Sequence, residues 1–175
     1  MAKPIIKWLD KNLADLSLLR FTSKAGAYEP VIAEQASVTE TIYIANNFTK
    51  DIAAGEAVDD AVNCYLKVTD RSGTANSPVI SEAWTRAKCV TDSTQSDFTQ
   101  IGVIEEQEIT IHITAGDQTR PNTISGAAND GNIASGAQYN AAKVELFVQP
   151  PLSTTANGGV QQFRYVLVYS YGAAA

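Results

Sequence analysis

The chain has 175 residues, 45% of them hydrophobic and only 18% charged, and its 13 basic and 19 acidic residues give a net charge of −6. A chain of this length suits one domain that buries about 70% of its unfolded surface, so it needs neither metal nor disulfide staples to build a core. The acidic balance and the lack of a basic run exclude binding along a nucleic-acid backbone, which relies on clustered Lys and Arg, and no stretch approaches the roughly 20 apolar residues of a membrane helix.

Met1 to Leu9 does not read as a secretory leader, because Lys7 breaks its apolar run and no small-residue cleavage site follows. Synthesis in the cytoplasm is therefore expected. Ile5 to Leu9 predicts a first strand within an N-terminal arm of about residues 1–10, with Ile6 and Trp8 as anchors. Leu9, Leu13 and Leu16 have helical spacing, but the β signals around them favour a short strand over Leu16 to Phe21. Gly26 to Pro30 reads as a turn. Val38 to Ile44 is the next strand, with Val38, Ile42 and Ile44 inward, and Asn46-Asn47 ends it as a turn pair.

Residues 49–60 read as a loop. Val62, Cys64, Leu66 and Val68 then alternate with Asn63, Tyr65, Lys67 and Thr69, the cleanest period of two in the chain. Asp70 to Gly73 is turn chemistry, and a strand over Ala83 to Val90 follows. Glu108 to Ala115 predicts one strand with Ile109, Ile111 and Ile113 on a single face. A long loop rich in Gly, Asn and Ser occupies about residues 116–140, a length uncommon inside a domain and often functional. Ala142 to Val148 is a strand stopped by Pro150-Pro151, and Asn157-Gly158-Gly159 turns into the last strand, Gln162 to Tyr171. Both faces of that strand are apolar, which predicts a central position or a face covered by a partner. About eight strands without strong helices define an all-β fold: an antiparallel β-sandwich of immunoglobulin-like, Greek-key type, in one domain.

Candidate chemistry is sparse. His112 is the only histidine and falls on a polar strand face with no nucleophile motif nearby. Cys64 and Cys89 sit in predicted strands and read as buried thiols, with a disulfide the less favoured reading in a reducing compartment. Two cysteines and one histidine, widely spaced, do not make a zinc site. Asp59-Asp60 and Glu105-Glu106 read as solvated loop charges. Asn129-Asp130-Gly131-Asn132 has turn chemistry without the ligand pattern of a calcium loop. Gly126, Gly131 and Gly136 lack the strand, helix and Lys of a phosphate cradle. The alternating Phe163, Tyr165, Tyr169 and Tyr171 read as core and intersubunit packing, with a carbohydrate-stacking platform as the alternative. The expected protein is not an enzyme and holds no cofactor or metal.

Three stretches carry a family resemblance: Lys3 to Asp10 leading through Leu19-Arg20-Phe21 to Glu40 to Asn47, then Ile124 to Gly131, and finally Thr155 to Gly158 with Gln162 to Tyr171. Together they resemble immunoglobulin-like sandwiches in virion proteins of tailed bacteriophages. The placement of Cys64, Trp84 and Cys89 departs from the Cys–Trp–Cys core of antibody domains. The resemblance implies a virion structural protein, favoured as a capsid decoration (cement) protein, with a tail, neck or baseplate component next. A carbohydrate- or receptor-binding module is the other reading. It also implies the major capsid protein or other virion subunits as partners and a homo-oligomer as the state, with neither nucleic acid nor membrane bound. Candidate partner contacts are Ile5, Ile6 and Trp8 on the arm, which would add a strand to a neighbour's sheet, and Tyr165, Tyr169 and Tyr171 on the last strand. The long loop is expected to lie across an adjacent subunit.

Overall fold

Period-two alternation yields strands here because one row of side chains finds a core and the other stays wet. A computed structural model describes residues 2–23, 31–48, 56–73, 77–129, 131, 139–152, 154 and 161–172. Among the described residues the strands are β1 (Ile6–Asp10), β2 (Glu40–Asn46), β3 (Val62–Asp70), β4 (Thr85–Cys89), β5 (Thr99–Ile104), β6 (Gln107–Ile109), β7 (Ile111–His112), β8 (Ala141–Val148) and β9 (Phe163–Ser170), with one short helix, α1 (Pro78–Ser81). They form an antiparallel sandwich of a six-stranded sheet, β1-β2-β8-β4-β5-β6, and a three-stranded sheet, β7-β3-β9. β8 inserts between β2 and β4, so strands remote in sequence become neighbours.

The core lies between the sheets. Ile42 and Ile44 of β2, Val144 and Leu146 of β8, and Ala87 and Cys89 of β4 face Cys64, Leu66 and Val68 of β3. Burying each large aliphatic side chain contributes about 1.5–3 kcal/mol. A second, smaller cluster forms on the outer face of the large sheet, where Leu9, Ala45, Phe48 and Ala141 pack with Leu13 and Tyr43. The register explains this: Trp8 lies opposite Ile44 and Leu9 opposite Tyr43, so β1 feeds one cluster from each face.

Several expectations need correction. Leu16 to Phe21 forms no strand; Leu16, Leu19 and Phe21 instead lay irregular backbone against the core. Glu108 to Ala115 is not one strand. The chain leaves the large sheet after Ile109 and enters the small one at Ile111, so those two isoleucines serve different sheets. β5 carried no clean alternation and was not expected. It pairs with β6 through a turn in which Glu105 and Glu106 both adopt positive φ, 49° and 65°. That is the backbone a two-residue hairpin needs, in residues that rarely supply it. The last strand is not central: among the described residues β9 pairs only with β3 and ends the small sheet. The turns expected at Gly26 to Pro30 and at Asn157-Gly158-Gly159 lie outside the described residues.

Candidate functional site

The two thiols singled out in the sequence are chemically quiet. Cys64 and Cys89 are free and buried. Burial pushes the Cys64 thiol up to about 12 and raises that of Cys89 as well, so both stay protonated and poor nucleophiles near neutrality. His112 lines a shallow cleft of about 280 Å³ with Asp92, Thr94, Gln95, Gln118 and Asn122. Asp92 is the buried carboxylate of that cleft, and its lone pairs are already taken. It accepts from the Thr94 backbone N–H at 2.9 Å, the Thr94 hydroxyl at 2.6 Å, Gln95 Nε2 at 3.0 Å and the Thr114 hydroxyl at 3.1 Å. Burial works against its charge, but these hydrogen bonds together outweigh burial and hold its pKa below the ordinary 3.8. The group pins the residues after β4 to the residues after β7. It is a structural latch.

The first half of the 116–140 loop packs against its own domain. Ile124 is fully buried and bridges Ala61, and Thr123, Ser125 and Asn129 are buried beside it. Four asparagines fasten it. Asn46 Nδ2 donates to the Ile124 carbonyl at 3.3 Å and the Asp59 carbonyl at 3.0 Å, while its Oδ1 accepts the Ile5 N–H at 2.9 Å. Asn140 Nδ2 donates to the Ser125 and Ala127 carbonyls at 3.0 and 2.8 Å. Asn47 Nδ2 reaches the Gly126 carbonyl at 3.1 Å, and Asn129 Nδ2 donates to the Asn47 carbonyl. Gly126 is required by this approach, because a Cβ there would collide with the Val58 and Asp59 carbonyl oxygens. The sequence showed only a turn pair at Asn46-Asn47 and a pseudo-calcium loop at Asn129, since the partners of both lie far along the chain.

The N-terminal arm is likewise held at home. Ile6 and Trp8 pack against the core within β1, and only Ile5, 50% exposed, projects outward. The outer edge of β1 is covered by its own continuation: Leu16 N–H donates to the Trp8 carbonyl at 2.8 Å, Asp10 N–H to the Ala14 carbonyl at 2.8 Å, and Leu9 bridges Asp15. Asp10 shapes that cover by accepting the Asn12 and Ala14 N–H groups at 2.8 and 2.9 Å. In this structure β1 is paired within its own chain, with Trp8, Leu9 and Asp10 of its outer edge met by residues 14–16.

β9 presents the opposite arrangement. Phe163, Tyr165, Leu167 and Tyr169 point inward and pack on the core, with Phe163 stacked on Phe21 at 5.9 Å and set edge-on to Tyr165 at 5.4 Å. The Tyr165 hydroxyl is buried, finds no hydrogen-bond partner among the described residues, and has its pKa raised by that burial. With Tyr165 turned inward, the four rings do not make one stacking surface. Tyr169 and Tyr171 remain paired at 6.2 Å, with Tyr171 53% exposed. On the other face, Val166 and Val168 are half-buried and lie opposite Lys67 and Tyr65 of β3. Among the described residues no strand or loop hydrogen-bonds to the far edge of β9. This edge, apolar on both faces, is the candidate site.

No protein-family model matches the chain, and no curated protein is similar to it in sequence.

Proposed function

We propose that this chain is a non-enzymatic structural subunit of a tailed-phage particle, favoured as a decoration (cement) protein docking on the major capsid protein, with tail, neck or baseplate as the alternative location in the virion. The virion assignment rests on the sequence resemblance, and the docking role rests on β9. The single observation that carries the docking role is an eight-residue edge strand whose outer hydrogen-bonding groups meet no other strand among the described residues. Such an edge recruits another chain through main-chain hydrogen bonds. The protonated thiols and the saturated Asp92 carboxylate support a passive role, because the groups best suited to chemistry are committed to packing. Co-sedimentation tests the reading. The protein is expected to travel with purified phage heads, or with tails in the alternative, and to lose that binding when Val166→Glu and Val168→Glu are combined. Protein that stays in the supernatant with both heads and tails would contradict it.

A further inference from the structure

The last strand reads as a chemical mirror about Leu167. Val166 and Val168 flank it, followed by Tyr165 and Tyr169, then Arg164 and Ser170, then Phe163 and Tyr171. Two antiparallel copies of one strand, related by a two-fold axis perpendicular to the sheet, place residues equidistant from the centre directly opposite each other on the same face. With the axis at Leu167, every pair joins like chemistry: valine meets valine outside, and aromatic rings meet aromatic rings inside. Arg164, the one charge in the strand, meets Ser170. Moving the axis to Val166 would set Arg164 against Val168, and moving it to Val168 would set Val166 against Ser170. The mirror register is the one in which no polar group opposes an apolar one.

We infer that β9 pairs with β9 of a second copy in this register, joining two three-stranded sheets into one continuous six-stranded sheet across a dimer. The inference rests on β9 being a docking edge and names a second copy as its occupant, so particle binding would depend on the paired dimer rather than on β9 adding to a capsid strand. Other strand ends are poor competitors. β1 is covered by residues 10–16, while β6 and β7 have only three and two residues. β9 carries none of the usual blocks, since it contains no Pro, Gly or Lys and the register shift in the sheet falls on β3 between Val62 and Tyr65. Because the chain carries a net charge of −6 and the contact is apolar, added salt strengthens the dimer by screening repulsion, the reverse of an ionic interface.

Sedimentation equilibrium tests the pairing on the full chain. Wild type is expected at twice the chain mass. A chain with Val166→Glu and Val168→Glu, and a second with Val166→Lys and Val168→Lys, are each expected at monomer mass with an unchanged circular dichroism spectrum, because like charges then sit opposite one another. Mixing the two restores the dimer mass. Cysteine substitution supplies an independent route should the charged chains fold poorly. Val166→Cys and Val168→Cys proteins form a disulfide-linked pair when mixed and none alone, since identical positions lie on the diagonal, beyond disulfide reach. A wild-type monomer at all concentrations overturns the inference, as does a dimer that survives both charged substitutions or a Val166→Cys chain that links to itself. Particle binding by a monomer would leave the virion reading standing without this pairing; a β9-paired dimer that binds no particle would do the reverse.

Discussion

β1 and β9 both end a sheet, and they end it in opposite ways. β1 is short, contributes to an apolar cluster from each face, and has its outer carbonyls and amides met by residues 10–16. β9 is longer, packs a partly buried inner row on the core, and leaves its outer edge unmatched among the described residues while half-buried valines face out. An edge closed by the chain itself is part of folding. An edge left open with apolar residues on both faces holds its unspent free energy for association.

The comparison can be broken most severely at β1. Leu9 is 1% exposed, so Leu9→Ala is expected to cost about 2–5 kcal/mol in urea unfolding, with the association state of the surviving folded protein unchanged. A smaller loss is expected where the long loop is fastened. Asn46→Ala removes a side chain that is fully buried and hydrogen-bonded through both its oxygen and its nitrogen, for about 1–3 kcal/mol. On β9 the expectation reverses. Val166→Thr keeps the branched shape, so the unfolding free energy of the monomer should stay within about 0.5 kcal/mol, while self-association weakens measurably. A Val166→Thr chain that unfolds as easily as Leu9→Ala would show that β9 is a folding edge like β1.

The finest distinction concerns the latch at Asp92, which ties the residues after β4 to those after β7. Its folded pKa lies below the ordinary value of 3.8. A depressed carboxylate adds stability that is fully present above the unfolded pKa and is lost as pH falls through the folded one. Stability should therefore decline as pH drops below about 3.8, and Asp92→Asn should flatten part of that decline while leaving the association of β9 untouched.

The strands that alternate cleanly were legible in the sequence, and β3 and β8 fall where Val62 to Val68 and Ala142 to Val148 placed them. β5 was not, because Gly102 interrupts its pattern; a Cβ there would lie 2.8 Å from Ala83 Cα. The switch of sheets at Thr110 was also hidden, since Ile109, Ile111 and Ile113 keep perfect spacing while the backbone changes partners. β9 taught the most. A strand apolar on both faces reads as central, yet one waiting for a partner chain has the same composition as one already surrounded. Composition records that a surface will be covered, and topology decides whether the same chain covers it. The asparagine fastening was invisible for a related reason: Asn46 and Asn140 bond to carbonyls brought near only by the fold.

Amide hydrogen exchange across a dilution series tests the central claim most directly, because it reads the two edges in one sample. Alternate amides of β9 should be protected at high concentration and exchange faster on dilution, while those of β1 and of residues 10–16 keep one rate throughout. Concentration-independent exchange in β9, whether fast or slow, would contradict the account.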